Sequence, residues 1–336
     1  MKSLKGDKIE LELYGESHSP SIGAKLSGIP AGERVDAVLL ERFMERRAPG
    51  RSSLSTSRKE ADVVRFLSGL HDGVTDGEQI HMEILNGNTR SSDYDSIKDT
   101  PRPGHADFPF YAKTGKRIPA GGGYFSGRLT APLCAAGSIA LQILERRGIS
   151  ISARIIRIGE VEQEASEPTA EMIEAIEQAR VANDSIGGAI TVTASGVPAG
   201  LGDAYFGGLE SALSFAAFGI PAVKAVEFGA GTKVATMFGS QNNDEFFYDG
   251  DMVRTRTNNH GGILGGISTG MPVTMTLSFK PTPSIAREQQ TVNLETGKDA
   301  VIRVLGRHDP CVVVRALPVA EAITALVILD FLLGEN

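Results

Sequence analysis

Four segments of the sequence alternate apolar and polar residues with a period of two. They are KIELEL (8–13), QIHMEI (79–84), AITVTA (189–194) and VTMTLS (273–278). Successive side chains of an extended chain point to opposite faces, so each segment predicts a strand with one buried and one solvated face. Antiparallel sheets show this alternation, whereas the strands of a doubly wound parallel sheet are apolar on both faces. The pattern therefore favours antiparallel sheets.

Four other stretches have the residue spacing of helices. The predicted helices are one that follows the N-cap candidate Asp36, a long one over 130–148, a surface helix around Met172 that ends near Gly187, and one from about 318 to 333. The last is apolar almost all round, which predicts a buried helix. Strands and helices alternate irregularly and no linker divides the chain. We therefore predict an α+β fold, with antiparallel sheets covering helices in a single domain over residues 1–336.

Charge and cysteine usage exclude several classes of protein. The formal net charge of −7 argues against a nucleic-acid or membrane-surface binder, which normally carries a basic face. Cys134 and Cys311 lie far apart and in no metal-binding pattern, as in proteins of a reducing compartment. The N-terminus lacks the apolar stretch of a signal peptide, and the apolar run at 322–329 is too short to cross a bilayer. We expect a cytoplasmic protein with no metal, nucleic-acid or membrane partner.

A cationic segment, ERRAPGRSSLSTSRKE (45–60), stands out in this acidic chain. It contains Arg46, Arg47, Arg51, Arg58 and Lys59 at and after the end of a predicted helix. Such a run can be a solvated surface whose cations also complement the helix dipole. Arginine outnumbers lysine here, and its planar fork suits phosphate and carboxylate groups. The residues alone leave both interpretations open.

Two histidines lie in loops with stiff or small neighbours. His18 stands in YGESHSPSIG (14–23), directly after a predicted strand, and His105 stands in RPGHADF (102–108). Histidine is suited to acid–base work near neutral pH. A surface or structural histidine is the simpler interpretation of each. The two are almost ninety residues apart, so only the fold can bring them together.

Three further stretches suggest contact with a ligand. The loop PAGGGYFSGRLTAP (119–132) leads into a helix, and loop amides with a helix N-terminus can bind phosphate. The glycine-rich turn HGGILGGISTG (260–270) and the segment KPTPSI (280–285) flank a strand and indicate backbone pressed against a flat or anionic group. In GRHDPC (306–311), Asp309 is either a turn former or a carboxylate whose pKa is set by Arg307.

Six of these motifs, in this order, resemble those of the chorismate synthase family. They are GESHSPSIG, RPGHAD, GGG…SGRLTA, GGILGGIS, KPTPSI and GRHDPC, and they extend from residue 15 to the final helix. The resemblance implies a β-α-β sandwich and a homotetramer. It implies a lyase that eliminates phosphate from 5-enolpyruvylshikimate 3-phosphate in a 1,4-anti sense, giving chorismate, the last common step of the shikimate pathway. The family requires reduced FMN although the reaction has no net redox change.

The resemblance also implies roles for individual residues. His18 would protonate the departing phosphate, His105 would lie against the reduced flavin near N1, and Asp309 would help take the C6 proton through flavin N5. Substrate anions would be bound by the arginines Arg47, Arg51, Arg128 and Arg307. Cofactor contacts would fall at Tyr124, Phe125, Ser126, Pro221, Ala222, Gly265, Lys280, Pro281, Thr282, Pro283, Ser284 and Arg307.

Some positions depart from the family pattern. Tyr124 and Phe125 replace a common Arg-Ser pair, and Pro221 replaces a common asparagine. An alternative is a protein of the same fold that binds flavin or anions without the elimination, and a third is a phosphate-sugar enzyme unrelated to flavin. No dinucleotide fingerprint is visible, so we expect an external flavin reductant rather than intrinsic oxidation of NADPH.

Overall fold

Two five-stranded antiparallel sheets enclose the long helices of the chain. The computed structural model describes residues 3–50, 62–87, 99–305 and 308–334. The first sheet has the strand order β1-β2-β3-β7-β4. Its strands are β1 (Ser3–Lys5), β2 (Glu10–Gly15), β3 (Ser21–Ser27), β4 (Arg65–Ser68) and β7 (Ile80–Leu85). A small hairpin, β5 (Leu70–His71) with β6 (Val74–Thr75), lies between β4 and β7 in sequence.

The second sheet comes from the middle of the chain. Its strand order is β11-β16-β10-β8-β9. The strands are β8 (Ser150–Ile158), β9 (Val161–Ala165), β10 (Gly188–Ser195), β11 (Val223–Phe228) and β16 (Val273–Phe279). Three hairpins complete the described strands: β12 (Phe246–Asp249) with β13 (Met252–Thr255), β14 (Ile263–Leu264) with β15 (Ile267–Ser268), and β17 (Gln289–Asn293) with β18 (Lys298–Ile302). The four predicted strands are confirmed as β2, β7, β10 and β16.

The helices lie between and around the sheets. They are α1 (Ala37–Arg47), α2 (Asp107–Thr114), α3 (Thr130–Arg146), α4 (Ala170–Val181), α5 (Leu209–Ala217), α6 (Gly239–Asn242) and α7 (Val313–Gly334). As predicted, Asp36 caps α1: its carboxylate accepts hydrogen bonds from the amides of Val38 at 2.8 Å and Leu39 at 3.2 Å. The cap satisfies two amides that the first turn of a helix leaves without a partner.

The central layer consists of α3 and α7. The first sheet packs on α3, the second packs on α7, and the two helices pack on each other. The stretch Gly127–Arg146, which contains α3, and α7 are apolar and long enough to cross a bilayer by length and composition, but 83% of the apolar part of each is buried inside the protein. The helices therefore form the shared core of the two sheets. The predicted α+β sandwich is confirmed.

Two predicted helix boundaries were wrong. The helix expected to end near Gly187 ends at Val181, because Asn183 takes a left-handed φ of 55° and the chain then turns toward β10. The final helix begins at Val313, so Pro318 lies inside it rather than at its start. Buried packing of Val313 and Leu317 supports this extra turn, although proline leaves one helical carbonyl without its usual donor.

One long-range contact joins the two ends of the chain. The carboxylate of Asp330, near the end of α7, accepts hydrogen bonds from the amides of Asp7, Lys8 and Ile9 at 3.1, 2.8 and 2.6 Å. These amides belong to the turn between β1 and β2. An aspartate that is 9% exposed and receives three amides is well compensated for its burial. The contact fixes the edge of the first sheet to the last helix.

Candidate active site

One cleft of about 590 Å³ lies where several elements begin or end. The loop between β2 and β3, the end of α1, the starts of α3 and α7, and the loop after β16 all reach it. Most residues that the motifs single out line this cleft. They are His18, Arg47, His105, Tyr124, Phe125, Ser126, Arg128, Pro221, Ala222, Lys280, Thr282, Pro283, Ser284 and Asp309. Segments that are far apart in sequence thus meet in one place.

Two predicted residues, Gly265 and Pro281, do not line the cleft. Gly265 forms the tip of the hairpin between β14 and β15. Pro281 packs against Gly187, close to the position that a Cβ on this glycine would take. Its two neighbours in the sequence both line the cleft. Arg51 and Arg307 fall outside the described residues.

His18 is held against the glycine-rich loop. Its Nδ1 lies 3.1 Å from the hydroxyl of Ser17, a residue that is 1% exposed. The Ser17 amide donates to the carbonyl of Gly123 at 3.2 Å, which ties the histidine loop to residues 121–123. Gly121 has φ +71°, and a Cβ there would lie 2.5 Å from His18 Nδ1. The bare backbone of Gly121 therefore makes room for the imidazole ring.

His105 belongs to a compact cluster with Arg102 and Asp107. Asp107, the first residue of α2, receives His105 Nδ1 at 2.7 Å and the Arg102 side chain at 2.7 and 2.8 Å. Burial alone would raise the pKa of Asp107, but the hydrogen bonds and charges of Arg102 and His105 hold it well below its ordinary value. An ionised carboxylate only accepts, so Nδ1 of His105 carries a proton. Nε2 then lies beside Gly122, 3.3 Å from Nη2 of Arg102.

Arg47 and Arg128 share one buried carboxylate. Asp62 pairs with Arg47 through one oxygen and with Arg128 through the other. Arg47 also donates to the hydroxyl of Thr130 at 3.2 Å, and Arg128 donates to the side-chain oxygen of Asn86 at 3.0 Å. Burial would raise the pKa of Asp62, but the two guanidinium groups outweigh it and lower that pKa. Both arginines are thus held in fixed orientations at the cleft.

Asp309 is paired with Arg315, in the first turn of α7. The guanidinium lies 2.6 Å from an Asp309 oxygen, and its Nε donates to the backbone carbonyl of Arg47 at 3.1 Å. Burial and the nearby charge of Arg47 lower the pKa of Arg315. The backbone carbonyl of Asp309 accepts from the Thr282 hydroxyl at 2.9 Å, so the backbone at Asp309 is joined to the segment after β16.

The segment after β16 and the loop before β11 form another wall of the cleft. The Lys280 amide donates to the carbonyl of Ala222 at 2.9 Å, and its ammonium donates to the carbonyl of Gly104. Burial and the charge of Lys224 lower the pKa of Lys280. Ala222 has φ +75°, a left-handed conformation that alanine rarely adopts. Strain of this kind is concentrated at functional sites.

The charge of the cleft is opposite to that of the whole chain. Among the described residues that line it are six lysines and arginines but one carboxylate, Asp309. The basic residues are Arg47, Arg102, Arg128, Arg315, Lys224 and Lys280. Asp62 and Asp107 offset part of this charge from behind the lining. A cleft with such an excess of cations selects ligands that carry several negative charges.

Comparison with known proteins gives the family of the chain. The sequence model of the family described as chorismate synthase matches residues 9–333. The chain belongs to the chorismate synthase family. The family and enzyme class expected from the six motifs, a lyase of the shikimate pathway, are confirmed at this level.

Relatives in this family match over almost their whole length. A chorismate synthase of Methanocella arvoryzae is 44% identical, with 97% of this chain and 92% of the relative covered. One of Pyrococcus abyssi is 45% identical, with 98% and 97% covered. A crystal structure of a chorismate synthase has a TM-score of 0.75 at 24% identity and covers 98% of this chain and 93% of its own. This last likeness concerns the fold.

Several residues of the cleft were not assigned a role from the sequence. They are Arg102, Asp62, Asp107, Lys224, His308 and Arg315, whose positions lie at or directly behind the lining. A role for Asp107 could have been inferred from the sequence, because it stands two residues from His105 within the chorismate synthase motif RPGHAD. Asp62 had no local signal: its partner Arg128 is 66 residues away.

The aromatic pair that departs from the chorismate synthase pattern forms part of the cleft wall. The rings of Tyr124 and Phe125 lie 4.4 Å apart between centroids, and Phe110 of α2 meets both edge-on at 5.9 Å. Phe125 is 39% exposed. In this chain the pair supplies an apolar surface beside the basic residues.

Proposed function

We propose that this cleft converts 5-enolpyruvylshikimate 3-phosphate to chorismate by 1,4-anti elimination of phosphate, with reduced FMN as cofactor. The observation that carries the proposal is the meeting of His18, His105 and Asp309 in one cleft with six basic side chains. The substrate has one phosphate and two carboxylates, which matches this excess of positive charge.

The residues of the cleft fit a flavin. A flavin mononucleotide needs a flat surface for its ring and donors for its phosphate. Tyr124 and Phe125 supply apolar rings, and residues 282–284 with Pro221 and Ala222 supply a wall of backbone and small side chains. The volume of the cleft is in the range of ligand sites. Reduced FMN would lend electron density during C–O cleavage and recover it afterwards.

His18 is the proton donor to the departing phosphate. Phosphate is a poor leaving group unless it is protonated, and a positioned acid contributes roughly 10²–10⁴-fold to the rate. Its contact with Ser17 and the glycine loop orients the ring toward the cleft. His105, with Nδ1 held by Asp107 and Nε2 at 3.3 Å from Nη2 of Arg102, would lie against the cofactor and in its protonated form would support negative charge there.

Asp309 takes part in removing the proton from C6 of the substrate. The C6–H bond and the bond between C3 and the phosphate oxygen break, a double bond forms between C1 and C6, and the existing C1–C2 double bond moves to C2–C3. The proton is lost from carbon and phosphate leaves with a proton from His18, so the reaction is redox-neutral overall. Arg315 holds the carboxylate of Asp309 in place at 2.6 Å.

Assembly, reductant and location are further parts of the proposal. The single chain exposes Tyr205, Phe206, Phe215 and Phe238 by 88, 98, 70 and 77%. Large aromatic side chains left in water favour association, which supports a homotetramer. One hydrophobic core contains residues of both sheets, which supports a single domain. Two buried, unpaired thiols suit the cytoplasm, where an external reductant would supply the flavin with electrons.

Phosphate release from 5-enolpyruvylshikimate 3-phosphate tests the proposal. The assay is run without oxygen, with and without dithionite-reduced FMN. Phosphate and chorismate in equal amounts, only when reduced FMN is present, are expected. Binding of FMN without phosphate release would instead identify a flavin-binding protein of the same fold. Release without FMN would identify a phosphate-sugar enzyme that does not use flavin.

A further inference from the structure

Asp62 is buried directly behind the cleft. Its side chain is 1% exposed, and its two oxygens are divided between Arg47 and Arg128, whose side chains are 3 and 4% exposed. It comes from the residues before β4, whereas Arg47 ends α1 and Arg128 precedes α3. One carboxylate therefore joins three parts of the chain that are distant in sequence.

The geometry leaves each guanidinium little freedom. Arg47 is held by Asp62, by the Thr130 hydroxyl and by the carbonyl of Gly127 at 3.3 Å. Arg128 is held by Asp62 and by Asn86. Asp62 and Asn86 lie next to strands of the first sheet, and Gly127 and Thr130 lie at the start of α3, so the orientation of the two arginines is set by the fold before any ligand arrives.

The electrostatics require a negative charge at this place. Two guanidinium groups brought together in a buried region repel each other, and that repulsion is stronger there than in water. A single carboxylate between them offsets one of the two charges. The lowered pKa of Asp62 keeps it ionised across the neutral range. One net positive charge is left for an anion in the cleft.

We propose that Asp62 is a positioning residue that fixes Arg47 and Arg128 as a pair for the anionic groups of the substrate. The inference rests on the proposed function, since it assumes that these arginines bind that substrate. It assigns a task to a residue that does not itself line the cleft. Asp62 acts on binding through the arginines and leaves the proton-transfer groups His18 and Asp309 in place.

Two substitutions test this role. Asp62→Asn keeps the shape but has only one accepting oxygen, so one arginine loses its partner; Asp62→Ala removes both contacts. Hydrogen bonds to charged groups are worth enough that the KM for 5-enolpyruvylshikimate 3-phosphate is expected to rise roughly tenfold to 100-fold. The kcat is expected to fall by less than about threefold, because the reacting groups are untouched. A KM within about twofold of wild type, in a folded variant, would overturn the proposal.

Glu321→Gln is the matched control. Glu321 is also a buried carboxylate that is paired with an arginine. It accepts hydrogen bonds from Arg46 at 2.6 and 2.8 Å and from the amide of Ala153 at 2.9 Å. Unlike the arginines paired with Asp62, neither Glu321 nor Arg46 lines the cleft. Its substitution lowers the melting temperature and leaves KM unchanged. An equal rise in KM for both variants would mean that Asp62 acts only through stability, which contradicts the proposal.

Formate supplies a measurement that needs neither FMN nor turnover. Formate has the size of the carboxylate deleted in Asp62→Ala and can bind between the two guanidinium groups. It is expected to raise the melting temperature of the FMN-free Asp62→Ala variant more than that of wild type or Glu321→Gln, measured with chloride at equal ionic strength. An equal response in all three proteins would overturn the role of Asp62. If wild type instead releases no phosphate, the proposed function fails, while the formate response still reports on Asp62. If Asp62→Ala does not fold, the kinetic test with Asp62→Asn decides.

Discussion

Gly121→Ala is the substitution that separates backbone strain from displacement of a catalytic side chain. The new Cβ would lie 2.5 Å from His18 Nδ1 and 2.6 Å from Ser17 Oγ, far inside van der Waals contact. Since the glycine loop is tied to the histidine loop by the Ser17 amide, the two loops cannot simply separate. We expect the imidazole ring to be pushed away from its position.

Gly115→Ala is a closely matched control for this change. Gly121 has φ and ψ of 71° and 8°, and Gly115 has 71° and 4°. Alanine in this left-handed conformation costs about 1–2 kcal/mol at either position. A Cβ on Gly115, however, meets no atom within 4 Å. The two variants therefore carry the same backbone strain, and only Gly121→Ala displaces His18.

The magnitude follows from the role of the histidine. Loss of a positioned general acid lowers the rate roughly 10²–10⁴-fold. We expect Gly121→Ala to lose about 100-fold or more in anaerobic phosphate release with reduced FMN, and Gly115→Ala to stay within about twofold of wild type. Melting temperatures report the shared strain. A folded Gly121→Ala variant with at least half of the wild-type turnover would refute the reasoning.

Three further outcomes are expected. Gly137→Ala places a Cβ 2.9 Å from the carbonyl carbon of Ala322, so it should force α3 and α7 apart. The free energy of unfolding, measured in denaturant, should fall by about 1–3 kcal/mol. An unchanged free energy of unfolding would contradict the close packing of the two helices. The pKa of Asp107 is lowered in the folded protein, so its ionised form adds stability above the unfolded pKa of about 4, and this stability is lost as the pH falls further. In Asp107→Asn the melting temperature should therefore fall less steeply as the pH is lowered. An equally steep fall in the variant would argue against this contribution of Asp107. Burial raises the pKa of Cys134 to about 12 and of Cys311 to about 11, so neither thiol should react with a disulfide reagent at neutral pH until denaturant is added; labelling of the native protein would show otherwise.

The strands were predictable because each buries one face. Segment 189–194 becomes part of β10, which pairs with β8 on one side and β16 on the other, and its Ile190 and Val192 are at most 1% exposed. Period-two burial is a property of the local sequence. Helix ends were less predictable. Asn183 follows α4 in a left-handed conformation, and tertiary packing lets α7 begin before Pro318 rather than at it.

The site was predictable in its motifs but not in its supporting contacts. His18, His105 and Asp309 were named through resemblance, since the residues alone left a structural interpretation open for each. Their meeting in one cleft depends on long-range topology that no local pattern contains. The same holds for Asp62, whose task is defined only by two arginines that the fold brings to it.

The hydrogen bonds from residues 7–9 to Asp330 also constrain the order in which contacts form while the chain is synthesised. The carboxylate of Asp330 follows the amides that it binds by more than 320 positions in the sequence. The hydrogen bond from the Gly6 amide to the Ile9 carbonyl can form locally, but residues 7–9 gain these three contacts only after α7 has been synthesised. Deleting the part of α7 that contains Asp330 would leave these three amides without their acceptor and loosen the edge of the first sheet.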